Sequence, residues 1–120
     1  MEDKNGFLDG VFDKKDFFDR LEGDSELGRQ LGEMFLDDAD EKMGQLRDAL
    51  EKNNLDEVLG AAHSLKGASA NMSALRLRRI AADLEQAARK HEKQHAAEIF
   101  ALLETEMEKF VSELKRYVLD

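Results

Sequence analysis

Cysteine and proline are both absent from the sequence. Without cysteine there is no disulfide framework, thiolate metal site or catalytic thiol. Without proline, and with Leu, Ala, Glu, Lys and Met abundant, helix is favoured over sheet. The glycines, eight in all, fall at or before Gly67. Apolar runs are short: Ile99 to Leu103 is typical, far below the ~20 residues that a membrane-spanning helix needs. The opening Met-Glu-Asp-Lys-Asn lacks the basic-then-apolar pattern of a signal peptide, so a cytoplasmic protein with no membrane association is expected. The net charge of −9 argues against nucleic-acid binding, which uses a basic surface to neutralise phosphates.

What the chain does contain is enough apolar residue for one core in 120 residues. Residues 1–11, with Gly6 and Gly10, read as a partly ordered lead-in whose Phe7, Leu8 and Val11 dock on that core. Residues 12–120 read as a single helical domain. A short helix carries Phe17, Phe18 and Leu21 and stops at Gly23-Asp24. A second runs from about Ser25 to Lys52 with Leu27, Leu31, Met34, Phe35, Met43, Leu46 and Leu50 on one stripe. Asn54, with Glu57 three residues on, resembles a capping box for a third helix bearing Leu55, Val58, Leu59, Ala62, Leu65, Ser69 and Met72. After a break at Asn71 to Ser73, a fourth helix turns Leu77, Ile80, Ala81, Leu84, Ala87 and Ala88 inward. A fifth spans roughly His95 to Val118, with Ile99, Phe100, Leu103, Met107, Phe110, Val111, Leu114 and Tyr117 inside. Short connections between long amphipathic helices predict an all-α, up-down-up-down antiparallel four-helix bundle with a short extra N-terminal helix.

Charge is unevenly spread. From Val58 to Ala82 there is no Asp or Glu, yet Lys66, Arg76, Arg78 and Arg79 lie there. On the third helix, at ~100° per residue, His63 falls at the edge of the apolar face, so its imidazole is expected to reach solvent. One turn to either side stand Gly60, Gly67 and, slightly displaced, Ala70. This strip is almost bare of side chains, and another protein can approach it closely. Each helix-interior glycine costs about 0.5–1 kcal/mol relative to alanine, and this helix accepts two beside its histidine. Lys66, one turn from His63, can bring an ammonium to an anion held on the imidazole. A neutral imidazole is available near pH 7 and is nucleophilic toward an acyl phosphate.

The run His63-Ser-Leu-Lys-Gly-Ala-Ser-Ala-Asn-Met72, then Ala74-Leu-Arg-Leu77 and Asp83-Leu-Glu-Gln-Ala-Ala88, resembles the histidine-phosphotransfer (HPt) domain family. The resemblance implies that His63 accepts a phosphoryl group, that Lys66 steadies it and that Gly67 leaves room for a receiver domain. It also implies that Ser69 and Glu85 or Gln86 line or orient the site, in a docking surface with Gly60, Gly67 and Ala70. Where the family usually has glycine, this chain has Ser73, which leaves the shape of that turn open. The implied partners are receiver domains of response regulators and hybrid sensor kinases. Mg²⁺ is expected on the receiver, with no cofactor on this chain, and a monomer is expected. No glycine-rich nucleotide loop is present, so the chain reads as a phosphorelay intermediate rather than an ATP-dependent kinase.

Two other readings are weaker. A helical adaptor would bind receivers through the same face without being phosphorylated. A zinc peptidase would rest on His91-Glu-Lys-Gln-His95, but a catalytic zinc needs a third protein ligand and an open water position, and the flanks supply neither. The acidic run Asp37 to Glu41 lacks the glycine-centred spacing of a calcium loop and reads as a solvated helix face.

Overall fold

The computed structural model describes residues 10–119, so the expected docking of Phe7 and Leu8 lies outside the described residues. Among the described residues there is no strand, and five α-helices follow one another: α1 (Lys14–Arg20), α2 (Ser25–Glu51), α3 (Leu55–Asn71), α4 (Leu75–Arg89) and α5 (Lys93–Leu114). A π-helical segment, Lys115–Leu119, continues from α5. None of these helices is long and apolar enough to cross a membrane.

Local chemistry explains the boundaries. Asp13, Asp24 and Asn54 cap α1, α2 and α3, their side chains accepting from the backbone N–H three residues on. At Asn54 the expected box is altered: its Nδ2 donates to the Glu57 carboxylate at 3.2 Å, while its backbone N–H goes to the Ala49 carbonyl at 2.8 Å. That last bond belongs to a device used repeatedly. Glu22, Asn53, Ser73 and His91 hold φ near +55°, at 54°, 55°, 57° and 59°. At each, the following N–H bonds to the carbonyl five residues back, which closes a Schellman motif. In the last three the residue supplying that N–H also starts the next helix, so the connection is as short as it can be. His91 therefore serves as the left-handed residue of a turn.

The core is one cluster. Phe110 meets Phe12 and Phe35 edge-on at 5.3 and 5.2 Å, and Phe12 meets Phe17 at 5.5 Å. Val11, as expected, is buried with them. Two inward assignments on α2 are corrected. Leu27 and Met34 are exposed, and the interior face is taken by Gly28, Gly32, Phe35 and Ala39. The reason is close packing: α1 lays Phe17 and Phe18 over Gly28, and the C-terminal Val118 and Leu119 cover Gly32. Tyr117 is likewise exposed rather than inside, because the wider π-turn rotates Val118 into the core in its place.

Each long helix packs on its neighbours in sequence, α2 also touches α5, and the most extensive contact joins α3 to α4. Their buried positions are rich in small side chains: Ala61, Ala62 and Ser69 on α3, Ala81, Ala87 and Ala88 on α4. Small residues let the two helices approach closely. That approach brings α4 within reach of His63.

Candidate functional site

His63 lies beside the buried Ala62 on α3, and its side chain is 67% exposed. Beneath it, from α4, rises Glu85, whose side chain is only 7% exposed. A buried carboxylate is costly unless it is paired, and this one has three partners among the described residues. Its Oε1 takes the Lys66 ammonium at 2.7 Å. Its Oε2 accepts from His63 Nδ1 at 2.9 Å and from the Arg89 guanidinium at 3.2 Å. The Lys66 ammonium, ahead of the bonds from His63 and Arg89, outweighs burial and holds the Glu85 carboxyl down to about 2.

This fixes the histidine tautomer. A carboxylate ionised at neutral pH can only accept, so His63 Nδ1 carries the proton. In the neutral form Nε2, which takes no hydrogen bond among the described residues, carries the lone pair on an exposed ring. The arrangement is an oriented nitrogen nucleophile with a cation one helical turn away.

The surroundings are as bare as the sequence suggests. Gly60 and Gly67 are exposed, and a Cβ at either would meet nothing within 4 Å. Ala70 is half-buried on the same helix. Ser69 is not on this surface: it is fully buried, and its hydroxyl has no hydrogen-bond partner among the described residues. Of the pair Glu85 and Gln86, only Glu85 reaches His63. Gln86 lies one position round α4 and lines a groove of about 280 Å³ with Lys90, His95 and Leu102. The basic segment is also divided, since Arg76 pairs with buried Glu106 of α5 at 3.0 Å while Arg78 and Arg79 stay exposed. Arg89 was not among the residues expected at the site. Its signal in the sequence is the four-residue spacing from Glu85, with the acid N-terminal to the base.

Around His91 and His95, as elsewhere among the described residues, no group of three or more His, Asp or Glu side chains is arranged to hold an ion. His95 instead faces Glu98 at 3.6 Å. Within the acidic run, Asp38 pairs with Lys42 at 3.1 Å on the surface of α2.

The sequence model of the Hpt domain matches residues 30–113, a stretch that contains α3, α4 and the whole His63–Glu85 constellation. The chain belongs to the Hpt domain family. It is a histidine phosphotransfer protein of phosphorelay signalling. Among solved structures, histidine-containing phosphotransfer protein B (HptB) from Pseudomonas aeruginosa PAO1 is similar to it, with a TM-score of 0.83 and 27% sequence identity. The similarity covers 88% of this chain and 92% of that chain. No curated protein matches the sequence. Ser73, where the resemblance implied glycine, adopts a left-handed φ of +57°. Its hydroxyl donates to Asp16 at 2.7 Å and accepts from Arg20 at 2.6 Å, which ties α1 to the α3–α4 turn.

Proposed function

We propose that His63 is the phosphoryl acceptor, that it takes the group from the aspartyl phosphate of a receiver domain, and that it passes it to a second receiver. The observation that carries this reading is the hydrogen bond from His63 Nδ1 to Glu85. In the neutral ring it leaves Nε2 as the nitrogen with the lone pair, on an exposed side chain. As Nε2 bonds to phosphorus, the aspartyl O–P bond breaks and the aspartate leaves as a carboxylate. The ring becomes an imidazolium whose remaining proton, on Nδ1, is already held by Glu85. Return of the phosphoryl group to another receiver reverses these steps.

Gly60, Gly67 and Ala70 form the docking strip in this reading, and the receiver supplies the Mg²⁺ and acidic pocket. The chain itself needs no cofactor and has no ATP-dependent kinase activity. The four long helices run up-down-up-down, α1 is an added strap, and the protein acts as a cytoplasmic monomer. The test is incubation with a panel of phosphorylated receivers from the same genome. Transfer to the wild type and none to His63→Gln is expected. Binding of receivers without any phosphoryl transfer would instead make the protein a helical adaptor.

A further inference from the structure

Two cations share the one carboxylate beneath His63. We propose that they divide the work: Lys66 leaves Glu85 for the phosphoryl group when His63 is phosphorylated, and Arg89 is the positioning residue that keeps Glu85 paired and bonded to His63. This deepens the phosphotransfer reading and rests on it.

The division follows from which oxygen each cation holds. Among the described residues Lys66 alone occupies Oε1, at 2.7 Å. His63 Nδ1 and Arg89 share Oε2, at 2.9 and 3.2 Å. Departure of Lys66 therefore frees Oε1 and leaves the bond that fixes the imidazole untouched. Departure of Arg89 would disturb the oxygen that His63 uses. Lys66 also stands on the helix of His63, one turn away, and its ammonium is a compact charge on a flexible stem. Arg89 stands on the helix of Glu85, four residues on, and stays with the carboxylate.

Charge balance gives Arg89 its necessity. Glu85 is 7% exposed, and a carboxylate so placed is strongly disfavoured once stripped of its only cation. Without Arg89, Lys66 is held in place by Glu85 and withheld from the phosphoryl group. With Arg89 present, the site carries one more positive charge than Glu85 requires, and that surplus is what an arriving phosphoryl group uses.

Phosphoramidate tests this without a receiver interface: Nε2 bonds to phosphorus while the donor's P–N bond breaks and ammonia leaves. Phosphorylation rates are measured for the wild type, Lys66→Gln, Arg89→Gln and Arg89→Lys. Lys66→Gln and Arg89→Gln are each expected to be about tenfold slower, because either loss leaves the phosphoryl group without a mobile cation. Arg89→Lys, which restores the charge, should recover most of the rate. Arg89 is half-exposed, so the melting temperature should change little in either variant, and a role confined to helix stability would not produce the rate loss. A wild-type rate in Arg89→Gln, or no recovery of rate in Arg89→Lys, would overturn the inference alone. Equal labelling of His63→Gln would overturn the phosphotransfer reading beneath it.

Discussion

Glu85 and His63, on neighbouring helices, are joined by a 2.9 Å hydrogen bond in which the carboxylate accepts from Nδ1, and this bond decides which ring nitrogen is free to react. The same carboxylate anchors Lys66 and Arg89. It is at once an orienting group and a buried charge, so its titration should be visible in stability.

The Glu85 carboxyl is held at about 2 against an ordinary 4.5. A folded-state value below the unfolded one means that the contribution is complete above about pH 4.5 and disappears as pH falls toward 2. Its size is on the order of 3 kcal/mol. Urea unfolding of the wild type and Glu85→Gln should therefore show a stability gap at pH 6 that narrows below pH 4.5 and closes as pH falls through about 2. A gap that stays constant over that range would mean that the pairing contributes nothing.

Gly67 separates stability from function. A Cβ there meets open space, so Gly67→Ala should stabilise the fold by up to ~1 kcal/mol. Gly67→Gln should also fold, yet place a long side chain one turn from His63. Near-attack geometry tolerates displacements of only about 1 Å, so transfer from a phospho-receiver should fall by orders of magnitude while phosphoramidate labelling falls far less. Gly44→Gln, equally open but on α2, is the control and should transfer normally. Normal receiver transfer by Gly67→Gln would move the docking face elsewhere.

Ser73 combines a cost with a gain. Its φ of +57° is unfavourable for any residue but glycine, while its hydroxyl joins Asp16 and Arg20. Ser73→Ala keeps the cost and loses both bonds; Ser73→Gly loses the bonds and relieves the backbone. Thermal and urea unfolding should place the alanine variant about 1 kcal/mol or more below the glycine variant. Equal stabilities would remove the backbone from the explanation.

His63, Lys66, Gly60 and Gly67 were legible because their relation lies within a single helix, where a fixed angle per residue says which side chains share a face. The choice of Glu85 over Gln86 was not, since it depends on how α4 is rotated against α3, and the run Glu85-Gln86 offers two polar residues in succession. Arg89 was missed for the same reason. The interior of α2 was misread at Leu27 and Met34 because hydrophobic periodicity gives glycine no weight, whereas Gly28 and Gly32 are the residues that admit α1 and the C-terminal turn. The family resemblance places Ser69 at the site surface, whereas its position on the stripe with Leu65 and Met72 points inward, where the structure has it. Helix starts are clear in the sequence where Asn54 marks a cap, and less so at α5, whose N-cap Glu92 makes no side-chain bond.

The most direct measurement is nuclear magnetic resonance of ¹⁵N-histidine-labelled protein after phosphorylation by phosphoramidate. The account predicts phosphorus coupled to Nε2 of His63, a proton retained on Nδ1, and no phosphohistidine in His63→Gln. Phosphorus on Nδ1, or on any residue other than His63, would contradict it.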